Sequence, residues 1–160
     1  MQKVTLLCVG KLKEPFYAAA VAEYQKRLTR HCKLEIVELA EQKLPDNPSP
    51  AEIAQALEKE AAAITERLPK GGAVIAMCIE GKTMSSEALA QKVEGFALGG
   101  ASTLTFLIGG SFGLHESVKQ RADLRLSMSP MTFPHHLARV MLLEQLYRAY
   151  QILEGSKYHK

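Results

Sequence analysis

Thr103-Leu-Thr-Phe-Leu-Ile-Gly-Gly-Ser-Phe-Gly113 is an apolar run of strand length that empties into a glycine-rich loop. A strand ending this way, before a short helical stretch at Leu114–Gln120, marks a β-to-α corner of an α/β sheet. The glycines at 109, 110 and 113 serve a tight turn, or let a ligand approach backbone that carries no Cβ. Ala73-Val-Ile-Ala-Met-Cys-Ile79 is apolar throughout, as expected of a parallel strand covered on both faces.

Working outward, Val4–Val9 reads as a further buried strand closed by Gly10. Glu14 to Arg30 is helical, with Phe16, Ala20, Tyr24 and Leu28 along one face. Leu34–Leu39 is a strand whose acids place it partly in solvent. Ser49, with Pro50 after it and Glu52 three residues on, is a capping box that starts a helix ending near Leu68. Glu80-Gly81-Lys82 has the composition of a turn. Ser85 caps a helix to Leu98, stopped by Gly99-Gly100. Leu124 and Leu126 belong to a last short strand, and His135 to Leu153 is the final helix. Five strands alternate with five helices, so the expected fold is a single three-layer α/β/α domain over residues 1–160 with a mostly parallel sheet.

Hydrophobic residues make up 47% of the chain and charged residues 23%, ordinary for a globular protein. The net charge of +3 is unevenly placed: residues 1–34 carry seven bases against two acids, and residues 35–70 four against eight. Basic zones can face a polyanion, but there is no arginine-rich arm. The three cysteines have no C-x-x-C spacing and suggest a reducing compartment. No signal peptide or membrane-length apolar run is visible, so a soluble cytoplasmic protein is expected.

The glycine loop is not G-x-G-x-x-G and lacks a Walker lysine, which disfavours dinucleotide and P-loop chemistry. His135 and His136 are neighbours on a helix, pointing about 100° apart. They are not a chelating pair, and no metal site is expected. Ser127 and Ser129 lack a nucleophile elbow. The final helix is apolar around most of its circumference, leaving Glu144, Arg148 and Gln151 as a polar stripe. Such a helix is buried on two sides, one of which suits a subunit interface. Arg139 falls on its apolar side and needs a partner, a substrate or an exposed edge.

Ile108–Leu114, Leu126–Val140, Glu144–Ala149, the ending Tyr158-His159-Lys160 and the opening Val9–Lys13 closely resemble the ribosomal RNA large-subunit methyltransferase H family of the SPOUT superfamily. The resemblance covers essentially the whole chain, with Met77 standing where leucine is common. It implies a deep trefoil knot at the C-terminal end of the sheet, an exception to the rule that chains do not thread. It also implies that the loops at 77–81, 108–113 and 128–133 hold S-adenosyl-L-methionine. Met77, Gly109, Met128, Ser129, Pro130, Met131, Thr132 and Phe133 would be the cofactor contacts. The implied enzyme is a homodimer that methylates N3 of the pseudouridine at position 1915 of 23S rRNA, on the assembled ribosome.

An imide N3 keeps its proton at neutral pH, so something must accept that proton or stabilise the anion. His135, Arg139, Tyr158 and His159 are the candidates. His135 or His136 can equally be helix N-terminal packing, and the tail a disordered terminus. Lys11, Lys13 and Arg30 suit phosphate contacts. Two other readings use the same residues: another nucleotide-binding α/β enzyme, and a non-enzymatic ribosome- or RNA-binding module.

Overall fold

The computed structural model describes residues 1–160. Ten elements alternate along the chain: β1 (Gln2–Val9), α1 (Pro15–Leu28), β2 (Cys32–Leu39), α2 (Pro50–Arg67), β3 (Ala73–Thr83), α3 (Ser86–Leu98), β4 (Thr103–Ile108), α4 (Glu116–Arg121), β5 (Leu124–Ser127) and α5 (His135–Leu153). The strands form one sheet in the order β2-β1-β4-β3-β5, and every neighbouring pair is parallel. Leu6 of β1 lies opposite Ile36 on one side and Phe106 on the other.

The parallel sheet is covered on both faces, as its apolar strands require. One core joins Val4, Leu6, Ile75 and Phe106 of the sheet to Val21 and Leu28 of α1, Leu89 and Val93 of α3, and Leu142, Leu143 and Leu146 of α5. The other joins Leu7, Val74, Ala76 and Leu107 to Ala61 and Ile64 of α2 and Val118 of α4. The three-layer expectation therefore holds, with α1, α3 and α5 on one face and α2 and α4 on the other. β2 is an edge strand, and Glu35 is exposed on it.

Helix starts follow local chemistry. The Ser49 hydroxyl accepts from the Glu52 amide at 3.1 Å, and the Glu52 carboxylate accepts from the Ser49 amide at 3.0 Å. Ser85 accepts from the Ala88 amide at 3.1 Å. α4 begins at Glu116 rather than Leu114, because Leu114 is anchored in the second core and His115 is the extended cap residue, accepting from the Ser117 amide at 3.1 Å.

The expected turn at Glu80–Lys82 is not a turn. β3 continues to Thr83 after a bulge: Leu126 of β5 pairs first with Met77 and again with Lys82. Gly81 makes the return possible, since a Cβ there would lie 2.8 Å from the Arg125 carbonyl carbon. The glycine and its polar flanks serve a close approach between strands, which has the same composition as a turn. The bulge pushes Cys78 and Ile79 out at the carboxyl end of the sheet.

Candidate active site

Since all strands run the same way, their carboxyl ends share one edge, and there the loops after β4 and β5 meet the β3 bulge and the start of α5. They enclose a cavity of about 710 Å³. Of the residues singled out by sequence, Met77, Gly109, Met128, Ser129, Met131, Thr132, Phe133 and His135 line it. Pro130 belongs to the same loop but is exposed and off the wall. The wall is mixed: thioethers and Phe133 supply soft apolar surface, and the loops supply backbone.

Serine side chains shape the loop after β5. The Ser127 hydroxyl donates to the Ser129 carbonyl at 3.0 Å, and the Ser129 hydroxyl accepts from the Met131 amide at 3.0 Å. The amides of Thr132 and Phe133 make no hydrogen bond within the chain, so they remain free for another partner.

The glycine loop closes on itself. Gly113, at φ +78°, donates its amide to the Gly110 carbonyl at 3.1 Å. A Cβ on Gly109 would lie 2.3 Å from the Gly113 carbonyl oxygen, an impossible contact with backbone. Gly109 is therefore required for the turn itself, which places the loop's backbone on the cavity wall. Glu41, which the sequence did not single out, reaches this loop from the β2–α2 connection: its Oε1 accepts from the Ser111 amide at 2.9 Å. It sits in a polar stretch with no motif, so no sequence signal marks it.

His135 stands where the cavity meets the N-terminus of α5. Burial pushes its pKa below the ordinary value, helped by His136 and Arg139, while Glu41 and Glu14 oppose the shift. The imidazole is thus neutral at physiological pH and able to accept a proton. The two histidine rings meet edge-on, with centroids 4.3 Å apart, although the helix alone would splay them. His136 turns to Glu14, with Nδ1 and Oε2 at 3.1 Å. Lys119 and Glu80 pair at the cavity rim, and this hydrogen bond holds the Glu80 carboxyl below the usual range.

Arg139 is not on the cavity wall. It is 1% exposed, its Nη1 donates to Glu38 Oε2 at 2.6 Å, and its Nη2 donates to the Gly10 carbonyl at 3.1 Å. In this position it ties the end of β1 and the edge of β2 to α5. Tyr158 and His159 also lie off the large cavity in their own chain. Tyr158 donates to Glu144 at 2.9 Å, and His159 pairs with Glu87 at 2.5 Å and with Arg148 at 3.2 Å. Glu144 belongs to a second cavity of about 370 Å³, separated from the first by Leu126, Ser127 and Met128, which line both. No three His, Cys, Asp or Glu side chains converge as a metal site would require.

Residues 2–159 match the family model described as "Predicted SPOUT methyltransferase". The chain is 48% identical over 158 residues to a ribosomal RNA large subunit methyltransferase H from Streptococcus equi subsp. zooepidemicus, covering 99% of each. It is 45% identical over 158 residues to a protein of the same name from Acetivibrio thermocellus, again covering 99% of each. Among solved structures it resembles a probable methyltransferase from Bordetella pertussis Tohama I, with a TM-score of 0.56 at 15% identity, covering 93% of this chain and 95% of that one. A probable methylase family protein from Haemophilus influenzae Rd KW20 gives the same TM-score at 12% identity, covering 99% of this chain and 71% of that one. These two distant likenesses speak for the fold alone.

The contact at Gly109 generates a direct test. Gly109→Ala forces the loop backbone apart and is expected to destabilise the protein by about 1–3 kcal/mol, the usual range for overpacking. Amide exchange at Gly113 should accelerate with it. Unchanged denaturant unfolding and unchanged exchange would contradict the packing described.

Proposed function

The chain belongs to the SPOUT methyltransferase family, and on that premise we propose that it methylates N3 of a pseudouridine in 23S rRNA of the assembled ribosome, using S-adenosyl-L-methionine. The observation that carries the reading is the cavity at the carboxyl edge of the sheet. There two loops present backbone, and a histidine kept neutral by burial stands beside them. The rRNA target rests on the names of relatives 45–48% identical over nearly their full length.

The residues present fit the cofactor. Ligand cavities run to about 300–1,000 Å³, and the 710 Å³ here lies within that span. The free amides of Thr132 and Phe133 suit the edge of a nucleobase, while Met77, Met128 and Phe133 offer surface for its faces. When bound, S-adenosyl-L-methionine supplies an electrophilic methyl group on a sulfonium. His135 would take the N3 proton as N3 receives the methyl group, so an imidazole of this chain activates the nucleophile. Arg139 acts on this step through α5, holding the helix that carries His135 against β1 and β2.

Tyr158 and His159 serve the substrate side in this reading, after releasing Glu144 and Glu87. A short terminus with an aromatic ring and an imidazole suits a base presented out of RNA structure. Exposed Lys11, Lys13 and Arg30 supply phosphate contacts, which fix orientation without reading sequence. The enzyme works as a homodimer through α5, and the sedimentation mass reads that state directly.

The chain is also proposed to be knotted at its C-terminal end, since β5 returns beyond β4 to the far side of β3 and α5 then packs between α1 and α3. Pulling the unfolded chain from both termini should give a contour shorter than the extended length of 160 residues. The full extended length would exclude a knot.

One set of measurements tests the active-site reading. Single-turnover methyl transfer by wild-type protein should stay level through neutral pH and fall only as the pH drops below the ordinary histidine value of about 6.5. The acid limb lies low because burial depresses the pKa of His135. His135→Gln should lose about 10²–10⁴ in rate, the usual worth of a general base, while still binding cofactor. Deletion of Tyr158–Lys160 should also abolish transfer and spare cofactor binding. Wild-type rates in either variant would remove that residue from the reaction.

A further inference from the structure

The least expected feature of the site is the carboxylate of Glu41. It lies two residues beyond the end of β2, yet it reaches the glycine loop and the space beside Gly10. Oε1 accepts from the Ser111 amide at 2.9 Å. The same oxygen would lie 2.6 Å from a Cβ at residue 110, so a side chain there would require the carboxylate to shift. Oε2 faces the space beside Gly10: a Cβ built there would lie 3.5 Å from it, 3.7 Å from His135 Nε2 and 3.9 Å from His136 Nε2. One carboxylate thus holds the glycine loop and borders the space beside Gly10 that the His135 and His136 rings also border.

We propose that Glu41 is a positioning residue of the methyl-transfer site, clamping the glycine loop in its cofactor-binding shape and setting the charge environment of His135. The inference rests on the proposed reaction and adds to it a residue outside the large cavity's wall. The clamp has a clear physical basis. A loop that turns through three glycines gains little rigidity from its own side chains, and glycine carries the largest backbone entropy to be lost on ordering. A charge-assisted hydrogen bond to Ser111, stronger than a neutral one, supplies a fixed point from outside the loop.

The electrostatic part follows from the groups around His135. His136 and Arg139, on its own helix, disfavour the imidazolium, and burial does so more strongly. Glu41 from the β2–α2 connection and Glu14 from the turn before α1 favour it. Removing the Glu41 charge therefore leaves His135 neutral to a still lower pH.

Two variants separate the parts, with cofactor binding by calorimetry and the single-turnover pH profile measured on each. Glu41→Ala removes both hydrogen bond and charge, and should weaken S-adenosyl-L-methionine binding at least tenfold. Glu41→Gln keeps an oxygen acceptor for Ser111 and should hold binding within about threefold, as expected if the hydrogen bond rather than the charge holds the loop. In both variants the acid limb of the rate should move to lower pH by about half a unit, the scale of one charge at several ångströms in water. Wild-type affinity in Glu41→Ala would overturn the clamp. An unmoved limb in Glu41→Gln, with His135→Gln abolishing that limb, would overturn the electrostatic role. If His135→Gln leaves the limb in place, the proposed proton acceptor fails instead, and the binding comparison still decides the clamp.

Discussion

Because β1 pairs in parallel with both β2 and β4, and β3 with both β4 and β5, every strand of this protein ends at the same edge. Parallel strands cannot be joined by tight hairpins, so each crossover carries a helix, and the helices must cover both faces of the apolar sheet. The three layers follow from that requirement. So does the gathering of loops at one edge, since the β3 bulge, the glycine loop and the loop before α5 are all exits from strands. The cavity is a product of the topology, and the local sequence decides what lines it.

Within that frame, two ties hold the site together from behind. Arg139 is buried and donates to Glu38 and to the Gly10 carbonyl, joining α5 to β1 and β2. Burial alone would raise the Glu38 pKa, but hydrogen bonds from Arg139 and the Leu12 amide more than offset it and keep the carboxyl below its usual range. Removing Glu38 leaves the buried Arg139 guanidinium with only the Gly10 carbonyl as partner, so the pair is a strong constraint on the position of α5. Glu41 is the second tie, and it acts on the glycine loop. Together they place the neutral His135 beside backbone that has no rigid side chains of its own.

Local patterns carried much of this architecture into the sequence. Thr103–Ile108 and His135–Leu153 are read at the bounds they have in the structure, because a largely apolar run closed by glycines and a long helical stretch with clear stops depend on neighbours in the chain. The Ser49 capping box is equally local. Gly81 reads as part of a turn because a glycine between polar residues has the same composition whether it turns the chain or lets two strands touch. Arg139 was legible as a charge in need of a partner, but the partner lies 101 residues away and no spacing points to it. Glu41 left no signal at all: its role comes from a fold that brings residue 41 to residue 111. The cavity loops were legible mainly through the family resemblance, since their backbone groups leave no side-chain code.

The most direct measurement is methyl transfer from radiolabelled S-adenosyl-L-methionine to ribosomes that lack this methyl group, set beside ribosomes that also lack the target pseudouridine. Label is expected in 23S rRNA from the first and none from the second. Equal labelling of both, or no label from a folded protein that binds the cofactor, would contradict the proposed reaction.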